Sequence, residues 1–310
     1  MTELGARNRK PFALLAGVLT LVCIVGFSLY LEISPAKKLP ELLRITSQGR
    51  GSGQVQYLEV PLVRYVLGGR FSTKATVDFV GAVHLGEASY YEDLNTRFKK
   101  YDAVLFELVS DGDNLPRKGE GRGDSILGTV QRAMADLLGL SFQLDEIDYQ
   151  ARNFVHADLS PEQLGQAMAA RGESLPQLLM KIVRLSFDPE LEKSLKAKGV
   201  NQNSLDGINP LLIIFRGPTP EERLKIKRFM AQGLIGSDSV LQMLEGESGF
   251  SLITDRNAAV MRVLEQELAA GKTKIAIFYG VGHLPDLHNR LTNERGLTLS
   301  DVEWLKAWKM

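Results

Sequence analysis

Two histidines share one local frame. Residues 79–85 read FVGAVHL and residues 278–284 read FYGVGHL, so His84 and His283 each stand three residues after a glycine in F-x-G-x-x-H-L. The chain contains only four histidines, and the repetition implies that an imidazole is wanted twice in similar surroundings. A third candidate is Glu107, which interrupts the apolar run AVLFELV at residues 103–109. A carboxylate inside such a run is costly unless a cation, a metal or strong hydrogen bonds compensate it. Two imidazoles and one carboxylate suit a divalent ion such as Zn²⁺, Mn²⁺, Co²⁺ or Fe²⁺ with positions left for water. The ion would lower the pKa of that water and polarise a carbonyl group. Without an ion, the same imidazoles and carboxylate can serve as general base and acid. Arg256, in TDRNAAV, reads as a helix-start residue, where the helix dipole disfavours a cation. That placement implies a carboxylate partner, Glu107 or the substrate, with a surface arginine as the alternative. His288, five residues after His283, reads as a surface helix residue, and His156 as a residue bordering the pocket.

The elements that must bring these side chains together follow from hydrophobic patterning. Strand-like runs occupy residues 55–67, 75–83, 103–109 and 274–279, and helical spacing occupies 87–99. His84, Glu107 and His283 then lie at or just past the C-terminal ends of three strands. Ligands of open α/β sheets bind outside those ends, so three parallel strands would unite the three side chains at one rim. The strand–helix–strand order over residues 75–109 implies a parallel pair with a right-handed crossover. Gly81 and Gly280 read as positions that permit a sharp turn, a positive φ or a close approach. Two helix starts are marked by Ser160-Pro-Glu-Gln163 and Thr219-Pro-Glu-Glu222. A further helix is expected over 255–270, ended by Gly271, and a last strand over 302–308. The Gly-rich charged stretch at 110–124 reads as a solvated loop, with a lid over the site as the alternative. The expected fold is α/β, a central mixed, largely parallel sheet flanked by helices with a helical insertion.

The N-terminus points to a membrane. Residues 12–31, FALLAGVLTLVCIVGFSLYL, carry no charge, and about 20 helical residues span the hydrocarbon of a bilayer. Arg7, Arg9 and Lys10 precede them, which favours a cytoplasmic N-terminus, although Lys37 and Lys38 on the far side oppose that bias. A cleaved signal peptide with Ser34-Pro-Ala36 as its small-residue site is the alternative. The expected organisation is a cytoplasmic N-terminus at 1–10, one transmembrane signal-anchor helix at 11–33, a tether at 34–53 and an α/β domain at 54–310, periplasmic or extracellular. The single cysteine, Cys23, excludes an internal disulfide framework. Lys+Arg and Asp+Glu both number 37, which argues against a nucleic-acid partner.

At Gly81-Ala-Val-His84, Glu107 in LFELV and Gly280-Val-Gly-His283 the chain resembles the TraB/PrgY/GumN family, which includes the TIKI membrane-anchored metalloproteases. That family looks like a branch of the erythromycin-esterase/ChaN-like fold. The family's Glu-Arg-Asn or Glu-Arg-Asp element corresponds here to Asp255-Arg256-Asn257, with a shorter acid. The resemblance implies hydrolysis of a peptide or small-molecule substrate. Its implied ligands or catalytic groups are His84, Glu107 and His283, with Mn, Co or Zn as the metal and Arg256 at the developing oxyanion. Two alternatives stand beside the metal-dependent hydrolase: a module of the same fold that sequesters a peptide or metal-bearing ligand, and a metal-free esterase-type hydrolase.

Overall fold

The computed structural model describes residues 39–68, 75–112, 115–119, 126–174, 205–236 and 251–310, with scattered positions between 176 and 197. The apolar run at 12–31 and part of the 110–124 loop lie outside these residues. Among the described residues no helix is long and apolar enough to cross a membrane.

Four strands form the parallel centre of the sheet, in the order β3 (Ala75–Ala82), β8 (Lys274–Gly280), β5 (Ala103–Phe106) and β7 (Phe154–His156). Beyond β3, the long strand β2 (Val55–Leu67) runs antiparallel and also pairs with β1 (Arg44–Gln48) and with the last strand, β9 (Thr298–Lys309). β1 pairs with residues up to Glu59 and β3 with residues from Leu62, so Pro61 of β2 falls in the gap between them. A residue without an N–H is tolerated at such a gap. A two-residue strand, β4 (Leu85–Gly86), pairs with β6 (Ser141–Phe142) apart from the main sheet.

Both faces of β3, β5 and β8 are buried, which is why their sequences are largely apolar, whereas the short β7 is half-buried. Val80, Val104, Phe106, Ala276 and Phe278 face one core. There they meet Tyr91, Leu94 and Phe98 of α1 (Ala88–Phe98), Met134 and Leu138 of α2 (Ile126–Leu138) and Met230 of α6 (Pro220–Gly236). Val77, Phe79, Leu105, Ile275, Ile277 and Tyr279 face the other, with Val260 and Leu264 of α7 (Ser251–Ala269) and Leu284 and Leu287 of α8 (Leu284–Asn289). The intervening short helices are α3 (Gln143–Glu146), α4 (Pro161–Ala170) and α5 (Pro210–Arg216). The chain is therefore a mixed α/β protein with a mostly parallel central sheet flanked by helices.

Local expectations fare unevenly. β2 has the expected bounds, and both capping motifs form. Ser160 Oγ accepts from Gln163 N at 3.1 Å while Gln163 Oε1 accepts from Ser160 N at 2.9 Å. Thr219 N donates to Glu222 Oε2 at 2.8 Å and Glu222 N to Thr219 Oγ1 at 3.3 Å. Gly271, at φ 86°, follows the end of α7. Three readings need correction. The stretch 34–53 is not all tether, because Leu43 is buried in the core and β1 lies inside it. β3 and β5 are parallel but not neighbours, because β8 is inserted between them. α7 begins by Ser251, so Arg256 sits in its second turn and not at its start.

The glycine of the first histidine frame is needed for closeness rather than for backbone freedom. Gly81 lies within β3, and a Cβ there would stand 3.0 Å from the Pro61 carbonyl oxygen and 3.4 Å from Val281 Cγ2. Gly81→Ala should therefore force β2 and β3 apart. The expected loss is about 1–3 kcal/mol, the range for overpacking a filled core, read as a lowered denaturant midpoint at unchanged slope.

Candidate active site

The four parallel strands end at one edge, and each delivers one side chain to it. His84 follows β3, Glu107 follows β5, Asp158 stands two residues past β7, and His283 closes a 3₁₀ turn (Val281–His283) after β8. Of the three expected side chains, Glu107 and His283 meet directly, Oε1 to Nε2 at 3.5 Å, whereas His84 does not join them as a third member of one ion-holding group among the described residues.

The His84 segment is held through its main chain. Tyr91 Oη donates to the Val83 carbonyl at 2.8 Å, Gln143 N to the His84 carbonyl at 2.8 Å, and Trp308 Nε1 to the Leu85 carbonyl at 2.6 Å. Three consecutive carbonyls are thus satisfied from three different elements, and the imidazole itself lies within hydrogen-bonding reach of the Gln143 side chain. Burial lowers the His84 pKa, partly opposed by Glu107 and reinforced by Arg256 and His283. The ring is therefore neutral at neutral pH.

Glu107 is the hub. Its Oε1 lies 2.7 Å from Arg256 Nη2 and 3.5 Å from His283 Nε2, and its Oε2 accepts from Gly280 N at 2.5 Å. Burial opposes its charge, but Arg256 and then His283 outweigh that cost and hold its carboxyl well below the usual carboxylate range. Gly280 has φ −47°, so its role here is an N–H aimed at Glu107, and the expected positive φ is absent. Arg256, itself buried, donates from Nε and Nη2 to Asp158 Oδ1 and Oδ2 at 2.9 and 2.5 Å. The carboxylate partner expected for Arg256 is thus Glu107, joined by Asp158. Burial, not a helix start, is what demands them. Two carboxylates face one guanidinium, so the cluster carries one formal negative charge that Arg256 does not balance.

His283 is fully buried, and its Nδ1 lies 2.6 Å from Asn257 Oδ1. Asn257 Nδ2 donates to Asp286 Oδ2 at 2.7 Å and to the His283 carbonyl at 3.3 Å. The ring packs edge-on against Tyr279, with centroids 5.1 Å apart. Its Nε2 is buried without a hydrogen-bond partner among the described residues. Such an atom costs roughly 1–3 kcal/mol, and it lies 3.5 Å from Glu107 Oε1, whose charge Arg256 favours.

The remaining histidines are structural. His156 Nε2 lies 2.6 Å from the Leu108 carbonyl, beside Glu107 but engaged with backbone. His288 is not the surface residue expected: it is half-buried, with Nδ1 2.9 Å from Tyr65 Oη, and burial lowers its pKa.

As donors, a neutral imidazole, a bare Nε2 and an ionised carboxylate suit a divalent ion. As placed, they do not compose its ligand sphere: among the described residues no three His, Cys, Asp or Glu side chains stand close enough to hold one ion. Both Glu107 oxygens already accept from N–H donors. Asp158 and Asp286 are not among the residues the sequence singles out, and Asn257 enters there only as the last residue of Asp255-Arg256-Asn257. Asn257 directly follows Arg256, and Asp286 stands three residues after His283, so adjacency to the frames was the available signal. No protein-family model, curated protein or solved structure matches this chain.

The Glu107–Arg256 pair fixes a pH dependence. The folded pKa of Glu107 lies below its unfolded value of about 4.3, so between the two the unfolded chain binds more protons. The stabilisation is complete above about pH 4.3 and is lost as pH falls through the depressed folded value. Arg256→Met strands two buried carboxylates and should cost about 3–5 kcal/mol at neutral pH. Chemical denaturation across pH should show that variant regaining stability on acidification, where the wild type loses it.

Proposed function

We propose that this chain is a hydrolase anchored to a membrane, with its α/β domain outside the cytoplasm, acting on a peptide or another carbonyl-containing substrate. The observation that carries this reading is the unpartnered Nε2 of buried His283, 3.5 Å from Glu107 Oε1. A water hydrogen-bonded to Nε2 transfers a proton to it as the oxygen attacks the carbonyl. The imidazolium so formed is stabilised by Glu107, which stays ionised beside Arg256 and the Gly280 N–H. The same proton then passes to the leaving amine or alkoxide, restoring neutral His283. Neutral His84, at the more exposed side of the cluster, donates its single ring N–H to the developing oxyanion. Arg256, whose Nε and Nη2 are engaged by Asp158 and Glu107, acts as a positioning residue.

The resemblance of the two G-x-x-H frames and the strand-end glutamate to the TraB/PrgY/GumN family supports hydrolysis. The uncharged run at 12–31 supports the anchor. A second reading is a hydrolase dependent on Mn²⁺, Co²⁺ or Zn²⁺. The unbalanced negative charge and the bare Nε2 favour it, but His84, Glu107 and His283 would have to move closer together to hold the ion, which would supply an activated water.

The test uses full-length protein in detergent against panels of peptides and aryl esters, with and without chelator. Turnover that survives the chelator and falls by about 10²–10⁴ in His283→Ala, the usual share of a general base, is the expected result. Turnover abolished by chelator and restored by Mn²⁺, Co²⁺ or Zn²⁺ selects the second reading. Stoichiometric retention of a peptide without cleavage points to a sequestering module, and wild-type rates in His283→Ala remove the catalytic assignment.

A further inference from the structure

We propose that Asn257 and Asp286 are positioning residues that fix His283 as its Nδ1–H tautomer and so keep the lone pair of Nε2 turned toward Glu107. The chemistry of the contacts assigns every proton in the chain of three. Asp286 Oδ2 accepts, from Asn257 Nδ2 at 2.7 Å and from Arg290 Nε at 2.7 Å. The second neighbour of Asn257 Nδ2 is the His283 carbonyl, also an acceptor, at 3.3 Å. An amide group facing two acceptors must present its NH₂ there, which leaves its oxygen against His283 Nδ1 at 2.6 Å. That oxygen carries no proton, so Nδ1 must supply one. In the neutral ring the other nitrogen is then bare, and it is the buried atom without a partner.

The alternative tautomer shows what this arrangement forgoes. An Nε2–H would face Glu107 Oε1, a favourable contact for a neutral ring. It would also set the Nδ1 lone pair against the Asn257 oxygen at 2.6 Å, which two acceptors cannot tolerate. Asn257 thus withholds from neutral His283 a hydrogen bond that the imidazolium regains, since the doubly protonated ring satisfies Asn257 and Glu107 together. The relay residue is a neutral amide, and this fits a cluster where Glu107 and Asp158 already exceed the charge of Arg256. A carboxylate at that position would add a further buried negative charge. Asp286, partly exposed at the start of α8, keeps its charge one residue removed from the imidazole.

The effect on turnover rests on the hydrolase reading, but the tautomer does not, and it is observable without substrate. Full-length protein labelled with ¹⁵N at histidine would be examined by multiple-bond ¹H–¹⁵N correlation at about pH 9, well above the ordinary histidine pKa. The expected His283 pattern is a protonated Nδ1 and an unprotonated Nε2. Asn257→Leu should shift the ring toward the Nε2–H form. Asp286→Asn, which still offers an oxygen to the Asn257 amide, should retain the wild-type pattern, and Asp286→Leu should lose it. An Nε2–H form in the wild type, or an unchanged pattern in Asn257→Leu or Asp286→Leu, overturns the proposal. If Asn257→Leu does not fold, the wild-type spectrum and the two Asp286 variants decide. Where the wild type hydrolyses a substrate, Asn257→Leu should lower kcat by about 10²–10⁴ at unchanged KM. The expected tautomer in a protein that turns over nothing would retain this proposal and discard the hydrolase.

Discussion

Arg256 makes the rest of the rim affordable in free-energy terms. Glu107 and Asp158 leave the ends of two neighbouring strands, β5 and β7, in a region from which water is largely excluded, and neither could be buried alone as an anion. A guanidinium is the side chain suited to this position, because its rigid fork engages Asp158 through Nε and Nη2 while Nη2 also reaches Glu107. α7 carries the arginine against one face of the sheet. The other carboxylate oxygen of Glu107 takes the Gly280 N–H at the end of β8, so a single cation indirectly ties three adjacent strand ends. The ion pair that stabilises the edge is also what keeps Glu107 charged beside His283, and architecture and chemistry draw on the same interaction.

The two histidine frames look alike in sequence but are not equivalent in space. β3 and β8 pair so that Gly81 lies opposite Tyr279 and Ala82 opposite Gly280, a one-residue offset between the two copies of F-x-G-x-x-H-L. Side chains alternate along a strand, so such an offset exchanges the faces of the sheet. Phe79 belongs to the core under α7 and α8, and Phe278 to the core under α1 and α2. The histidines diverge in the same way. His84 stands on an irregular loop whose carbonyls are anchored, and the residue is half-buried. His283 is wound into a helical turn and entirely enclosed. One residue type in one motif thus supplies two environments, one half-buried on a loop and one fully enclosed.

How much of this was legible in the sequence depended on the length and polarity of each element. Three of the four parallel strands, β3, β5 and β8, are legible because burial on both faces leaves them largely apolar. The caps at Ser160 and Thr219 were legible because their hydrogen bonds are local. β1 reads in sequence as part of a tether because RITSQ offers little apolar alternation over five residues. Asp158 escaped because β7 is three residues long and runs directly into a capping motif, so nothing marked its end as a strand end. The glycines show a different limit: of the roles expected for them, close approach holds for Gly81, while positive φ does not hold for Gly280. A glycine kept for tight packing and one kept for positive φ are indistinguishable without neighbours, and the decisive neighbour of Gly81 is Pro61, on another strand.

The insertion of β8 between β3 and β5 has a consequence for how the molecule comes into being. Arg256, Asn257, His283 and Asp286 all belong to the closing portion of the chain, from α7 onward, whereas His84, Glu107 and Asp158 are made long before. Until that portion emerges, the nascent sheet has a missing centre, with two apolar strand edges unpaired and two acids lacking their counterion. Such an intermediate needs shielding from its neighbours, and its completion waits on pairings between remote parts of the chain, which form slowly. The contacts of His283 with Glu107 and of Arg256 with Glu107 and Asp158 are therefore closed only by the last stretch of chain to be made.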